Sequence, residues 1–188
     1  MLWKTRSMIP AKAARPVALW VSTRSIRSDS RNARAGGFGM NVLYTHPRDN
    51  ALLEQRVAAR RVPLDQLVAE SDVLTLHIPM RPENHHLLNS QRLHNMKRGA
   101  ILINTARGPI VDEAALVEVL RSGRLMAAGL DVYEHEPRLT PGLIGLPNVV
   151  LLPHLGSATN ATRARMSEMA AENVLAVLNG APAPNRIV

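Results

Sequence analysis

From residue 40 onward, short apolar runs alternate with amphipathic stretches, and this alternation leaves few possible folds. MNVLYT (40–45), DVLTLHIP (72–79), AILINT (100–105), LMAAGLDVY (125–133) and NVVLLP (148–153) read as strands. They are continuously apolar rather than alternating, as strands covered on both faces are. Between them lie helix signals. Pro63 opens a segment with Leu64, Leu67 and Val68 on one face. NSQRLHNM (89–96) starts with Asn89 or Ser90 as a cap. In VDEAALVEVLRSG (111–123), Asp112 caps a stripe of Ala115, Leu116, Val119 and Leu120, and Gly123 stops it. A long helix over 158–180 ends at Gly180. Strand–helix alternation without repeats predicts parallel βαβ units in an α/β layered sheet.

The first 35 residues follow another rule. PVALWVS (16–22) reads as one short strand, but the next stretch, STRSIRSDSRNAR, is dominated by Ser and Arg and is expected to be weakly structured. All 11 glycines lie at or after Gly36. Residues 1–39 hold eight basic side chains and one acid, whereas the remainder holds 15 basic and 14 acidic. The net charge of +8 therefore belongs to a terminal segment, and nucleic-acid binding is expected only there, if anywhere. A basic, Ser-rich start also resembles an organelle transit peptide, but nothing marks a cleavage site. No cysteine occurs, which excludes disulfides and thiolate chemistry. No apolar run approaches the ~20 residues of a membrane span.

In a parallel sheet, ligands bind beyond the carboxyl ends of the strands. Pro79 and Arg81 follow one strand; Thr105, Ala106, Arg107 and Gly108 follow the next. Asp131, Glu134 and Glu136 follow a third, and His154, Gly156 and Ser157 a fourth. Arg107 can grip a carboxylate through two parallel hydrogen bonds. His154 can exchange a proton near neutral pH, and a carboxylate such as Glu136 can favour its charged form. The set suits reduction of a 2-keto acid by a nicotinamide. Each residue also has an ordinary reading: a surface arginine, a solvated turn glutamate, a loop histidine with a structural bond. His85, His86 and His94 invite a metal site, but adjacent side chains are expected to diverge and acids are absent nearby, so no metal is expected.

The long run HIPMRPENHHLLNSQRLHNMKRGAILINTARGPIVDEAALVEVLRSGRLMAAGLDVYEHEP, followed by LPNVVLLPHLGSAT, closely resembles the D-isomer-specific 2-hydroxyacid dehydrogenases, nearest the glyoxylate/hydroxypyruvate reductase branch. The likeness runs from about Gly39 to the C-terminus. It implies Arg107 as the substrate arginine, Glu136 as the histidine-pairing glutamate and His154 as the acid/base. It implies that Pro79, Thr105, Ala106, Arg107, Asp131, His154 and Gly156 border the dinucleotide. Family members using NAD usually carry an acid after the second strand; here THPR places His46 and Arg48 there, which favours NADP over NAD. The resemblance also implies a cytoplasmic homodimer acting on a small 2-keto or 2-hydroxy acid, with no membrane or nucleic-acid partner.

Two departures accompany it. The family carries a substrate-binding domain for which 188 residues leave no room. The expected division is a basic segment over 1–39, an NAD(P)-binding domain over 40–157, and a helix and tail over 158–188 that in the family returns to the substrate domain. Without that partner the helix is expected to expose an apolar stripe. The family's G-x-G-x-x-G phosphate loop is also missing: STRSIRSDS holds no glycine, so every Cβ obstructs backbone approach to a pyrophosphate. The expected fold is a Rossmann-like parallel sheet with a degraded first βα unit, and residues 1–35 are expected to be of different origin from the rest. The expected activity is correspondingly impaired. The alternative is a non-catalytic remnant that pairs or binds through its nucleotide half. Gly36, Gly37 and Gly39 are expected to close a helix rather than hold phosphate.

Overall fold

The computed structural model describes residues 17–22, by their backbone course, together with residues 34–35 and 37–186. Seven strands form one parallel sheet: β1 (Val17–Ser22), β2 (Asn41–Thr45), β3 (Arg60–Arg61), β4 (Val73–His77), β5 (Ile101–Asn104), β6 (Ala127–Leu130) and β7 (Val149–Leu151). Their spatial order is β3-β2-β1-β4-β5-β6-β7. The strand expected in PVALWVS lies at the point where chain order reverses, paired with β2 on one side and β4 on the other. The first strand is thus in place. The glycine-free stretch expected to replace the phosphate loop lies outside the described residues. The chain divides after Leu151 into two compact units, Met1–Leu151 and Leu152–Val188.

In the first unit the helices are α1 (Ala51–Val57), α2 (Leu64–Glu70), α3 (Ser90–Asn95) and α4 (Glu113–Arg121). Asn89 caps α3, its side chain accepting from the Arg92 amide at 3.0 Å, and Asp112 caps α4 in the same way at Ala115. The main core collects Leu74 and Leu76 of β4, Leu102 of β5, Leu93 and Met96 around α3, and Leu116 and Leu120 of α4, all with almost no exposed area. Each such side chain contributes about 1.5–3 kcal/mol. A smaller cluster of Val42, Tyr44, Leu53 and Ala59 seats α1 against β2. Within it the Tyr44 hydroxyl donates to Glu54 at 2.5 Å, and burial pushes the phenol's pKa up.

Gly39 has φ +66°, and the Met40 amide returns to the Ala35 carbonyl at 3.1 Å. That is the expected helix closure at Gly39; Gly37 still lies within the helical turn, and Gly36 lies outside the described residues. α1 and the two-residue β3 were not expected. α1 buries a single residue, Leu53, and so carries almost no periodic signal, although its Asn50 cap is legible.

The second unit holds α5 (Asn160–Leu178), capped by Thr159, and no residue of this helix is buried. Met166, Val174, Val177 and Leu178 share one face and are all exposed, so the expected apolar stripe is there. No helix among the described residues is long and apolar enough to cross a membrane.

Candidate active site at the carboxyl edge of the sheet

The site begins with Asn104, the last residue of β5 and only 1% exposed. Its Oδ1 accepts from the Ala106 amide at 3.0 Å and its Nδ2 donates to the Arg107 carbonyl at 2.9 Å. One buried side chain therefore fixes the course of the whole TARG turn. Thr105 and Arg107 face solvent while Ala106 is buried. The Arg107 guanidinium donates to the Ala106 carbonyl at 2.5 Å.

Gly108 brings the next loop in. A Cβ on this residue would lie 1.8 Å from the Tyr133 carbonyl carbon and 1.9 Å from its oxygen. Only glycine lets the backbone after Arg107 lie flat on the DVYEHEP turn that follows β6. In that turn the Asp131 amide donates to the Asn104 carbonyl at 3.0 Å, and Asp131 itself is 5% exposed. Glu136 is exposed and folds back, its Oε1 accepting from the Tyr133 amide at 2.9 Å.

A second link was not foreseen. Glu113, in the first turn of α4, is buried and accepts from the Glu134 amide at 2.8 Å and from the Thr140 hydroxyl at 2.6 Å. Glu134 returns the bond, accepting from the Glu113 amide at 3.4 Å. A carboxylate at a helix N-terminus is favoured by the helix dipole, which stabilises this arrangement. The spacing of VDEAAL suggested only the Asp112 cap; Glu113 and Asn104 gave no sequence signal beyond their polarity inside apolar runs.

The other expected residues lie where the strands end. Pro79 follows β4, exposed, its carbonyl held by the Asn84 side chain at 2.9 Å. Beyond β2, Arg48 is exposed and His46 Nδ1 accepts from its amide at 3.0 Å. Arg61 was not foreseen: it donates to the His46 and Pro47 carbonyls at 3.1 and 3.2 Å and pairs with Asp49 at 2.7 Å. Asp49, the acid nearest the end of β2, is thereby held in an ion pair. Registers of all seven strands are parallel, so Arg48, Pro79, Thr105, Ala106, Arg107, Asp131 and Glu136 lie beyond the same edge. His154 and Gly156 follow β7 within the second unit, His154 with φ +55°.

One expectation needs correction. His85 and His86 do not diverge: their rings stack with centroids 4.0 Å apart. An acid is also present, since Glu134 Oε1 lies 2.6 Å from His86 Nε2. It was invisible locally because it comes from the turn after β6. His94 stands apart, bonded to Ser90 within α3.

This geometry agrees with comparison to known proteins. Residues 30–156 match the model of the D-isomer specific 2-hydroxyacid dehydrogenase, NAD binding domain. The chain belongs to this family. Glyoxylate/hydroxypyruvate reductase B of Serratia proteamaculans (strain 568) is 51% identical over 145 residues, which span 77% of this chain and 45% of that protein. The chain therefore spans about half the length of such relatives. Among solved structures, the TT0316 protein from Thermus thermophilus superposes with a TM-score of 0.81 at 46% identity, covering 93% of this chain and 54% of that one. D-lactate dehydrogenase with NAD+ from Lactobacillus jensenii gives 0.77 at 26% identity, over 91% and 55% of the two chains.

The dehydrogenase family domain binds NAD, and the described residues at the nicotinamide and ribose ends fit that group, while the stretch that would face the pyrophosphate lies outside the described residues. The topological switch point beside β1 is present. The pinned TARG turn follows β5 and the buried Asp131 follows β6, two and three strands from β1 on the same edge. Arg48 and Arg61 stand where the second strand ends, the place from which ribose or its phosphate is read.

Proposed function

We propose that the chain carries the nucleotide-binding and proton-transfer half of an NAD(P)-dependent 2-keto acid reductase, with glyoxylate or hydroxypyruvate as the substrate class. The observation that carries the reading is the flat contact of Gly108 on the Tyr133–Glu134 peptide, which fixes the Arg107 turn against the turn holding Glu136. Bound reduced nicotinamide would supply a hydride to the carbonyl carbon. Arg107 would hold the substrate carboxylate through paired N–H donors. Glu136 would orient the His154 imidazole, and His154 would pass a proton to the carbonyl oxygen as that oxygen gains charge. Thr105, Ala106, Asp131 and Gly156 would line the nicotinamide, and Pro79 follows the strand that would border the dinucleotide. Arg48 favours NADP over NAD, because its charge complements a 2′-phosphate while Asp49 is already paired.

We take residues 40–157, together with the β1 strand that pairs with them, as the nucleotide-binding region and 158–188 as the return segment. A homodimer in the cytoplasm completes the reading, supported by exposed Val150 on the edge strand and Ile144 just before it. For a stretch spanning about half of such relatives, taken alone, we expect cofactor binding to outlast turnover. NADPH oxidation with glyoxylate or hydroxypyruvate tests this: turnover below ~1 s⁻¹ is expected, since ordinary enzymes reach ~1–10³ s⁻¹. NADPH fluorescence provides the second readout. Absence of any nucleotide binding would reject the reading outright. Loss of residual turnover in Arg107→Lys and His154→Asn, with nucleotide binding kept, would support the assigned roles.

A further inference from the structure

We infer that His85, His86 and Glu134 form a site for a divalent transition-metal ion such as Zn²⁺. The site is separate from the dehydrogenase reading and does not depend on it. One ligand atom from each residue lies within 4.8 Å of the other two. Two imidazole nitrogens and one carboxylate oxygen make the donor set of an open zinc site, with water completing the tetrahedron. Neighbouring side chains ordinarily point apart. Here His86 has φ +47°, and that left-handed turn carries its ring back over His85, where the two stack at 4.0 Å with 27° between their planes.

The three ligands stand on pinned backbone rather than on free loops. The His86 amide donates to the Pro109 carbonyl at 2.9 Å, and the Leu88 amide to Ile110 at 3.0 Å. Glu134 is fixed through its own amide on the buried Glu113 at 2.8 Å. Preset ligands lose little freedom when a metal arrives. His85 is exposed, which leaves an entry path, while the Glu134 side chain is only 13% exposed. Glu134 Oε1 and His86 Nε2 are hydrogen-bonded, 2.6 Å apart. Tetrahedral ligands with ~2.0 Å bonds sit about 3.3 Å apart. A small torsional shift of Glu134 opens that gap, and His86 binds the metal through a ring nitrogen that carries no proton.

The test is a Co²⁺ titration of the chelator-treated full chain, followed by visible d–d absorption, with Zn²⁺ added afterwards. We expect one Co²⁺ per chain in a low-symmetry N/O site, displaced by Zn²⁺. His85→Ala should weaken binding at least about tenfold, the scale on which single groups around a metal act. His85 is exposed, so this variant keeps the fold even if Glu134→Gln or His86→Ala disturbs the turn. His94→Ala, nearby in sequence but outside the cluster, should bind as the parent does. Equal affinity in parent and His85→Ala, or loss in His94→Ala alone, would overturn the site.

Discussion

The two ends of the carboxyl edge are built by opposite means. Between β5 and β6, polar atoms are buried and matched: Asn104 serves two backbone groups, and Glu113 and Glu134 serve each other's amides. Beyond β2, the groups that would read a nucleotide are solvent-exposed arginines held by surface bonds. Matched buried groups cost much to disturb, because removing one partner leaves the other desolvated and unpaired. Exposed ion pairs cost little, because water and salt already screen them. One end therefore holds geometry, and the other is the end proposed to tune cofactor preference.

The contrast breaks most sharply at Gly108. Gly108→Ala drives a Cβ into the Tyr133 peptide, and a loss of about 3 kcal/mol or more is expected from urea unfolding. Glu113→Ala leaves the Glu134 amide and the Thr140 hydroxyl without their acceptor, and about 2 kcal/mol should be lost. Asn104→Ala removes both turn bonds and should cost about 1–2 kcal/mol, with weaker nucleotide binding in the same preparation. At the other end, Arg48→Ala should leave stability unchanged. It should weaken NADPH binding about tenfold, about 1.4 kcal/mol, with NADH unaffected. Arg61→Ala should shift stability by less than about 1 kcal/mol in thermal melts. If Arg61→Ala cost as much as Asn104→Ala, the contrast between the two ends would collapse.

Much of the molecule was legible in the residues alone. Every strand but the two-residue β3 declared itself because a sheet covered on both faces needs continuous apolar runs, and α4 because Asp112, its stripe and Gly123 all agree. Positions of Arg107, Asp131 and Glu136 followed from strand ends and from the family resemblance. α1 was not legible because it buries only Leu53, so tertiary contact rather than periodicity holds it. The His85–His86–Glu134 cluster was misjudged because its acid lies 48 residues from His86 in sequence.

The sequence by itself determined the type and order of the elements with a strong periodic or apolar signal, and the residue kinds available for chemistry, since these depend on local propensity and periodic burial. Tertiary structure decided which of those residues meet. Gly108 acts as a contact point only because Tyr133 lies across it. Glu113 ties two elements together only because the turn after β6 returns to the start of α4. A stretch of histidines gains a carboxylate only once two distant loops are laid side by side. Such meetings depend on non-local backbone packing, which no window of sequence contains.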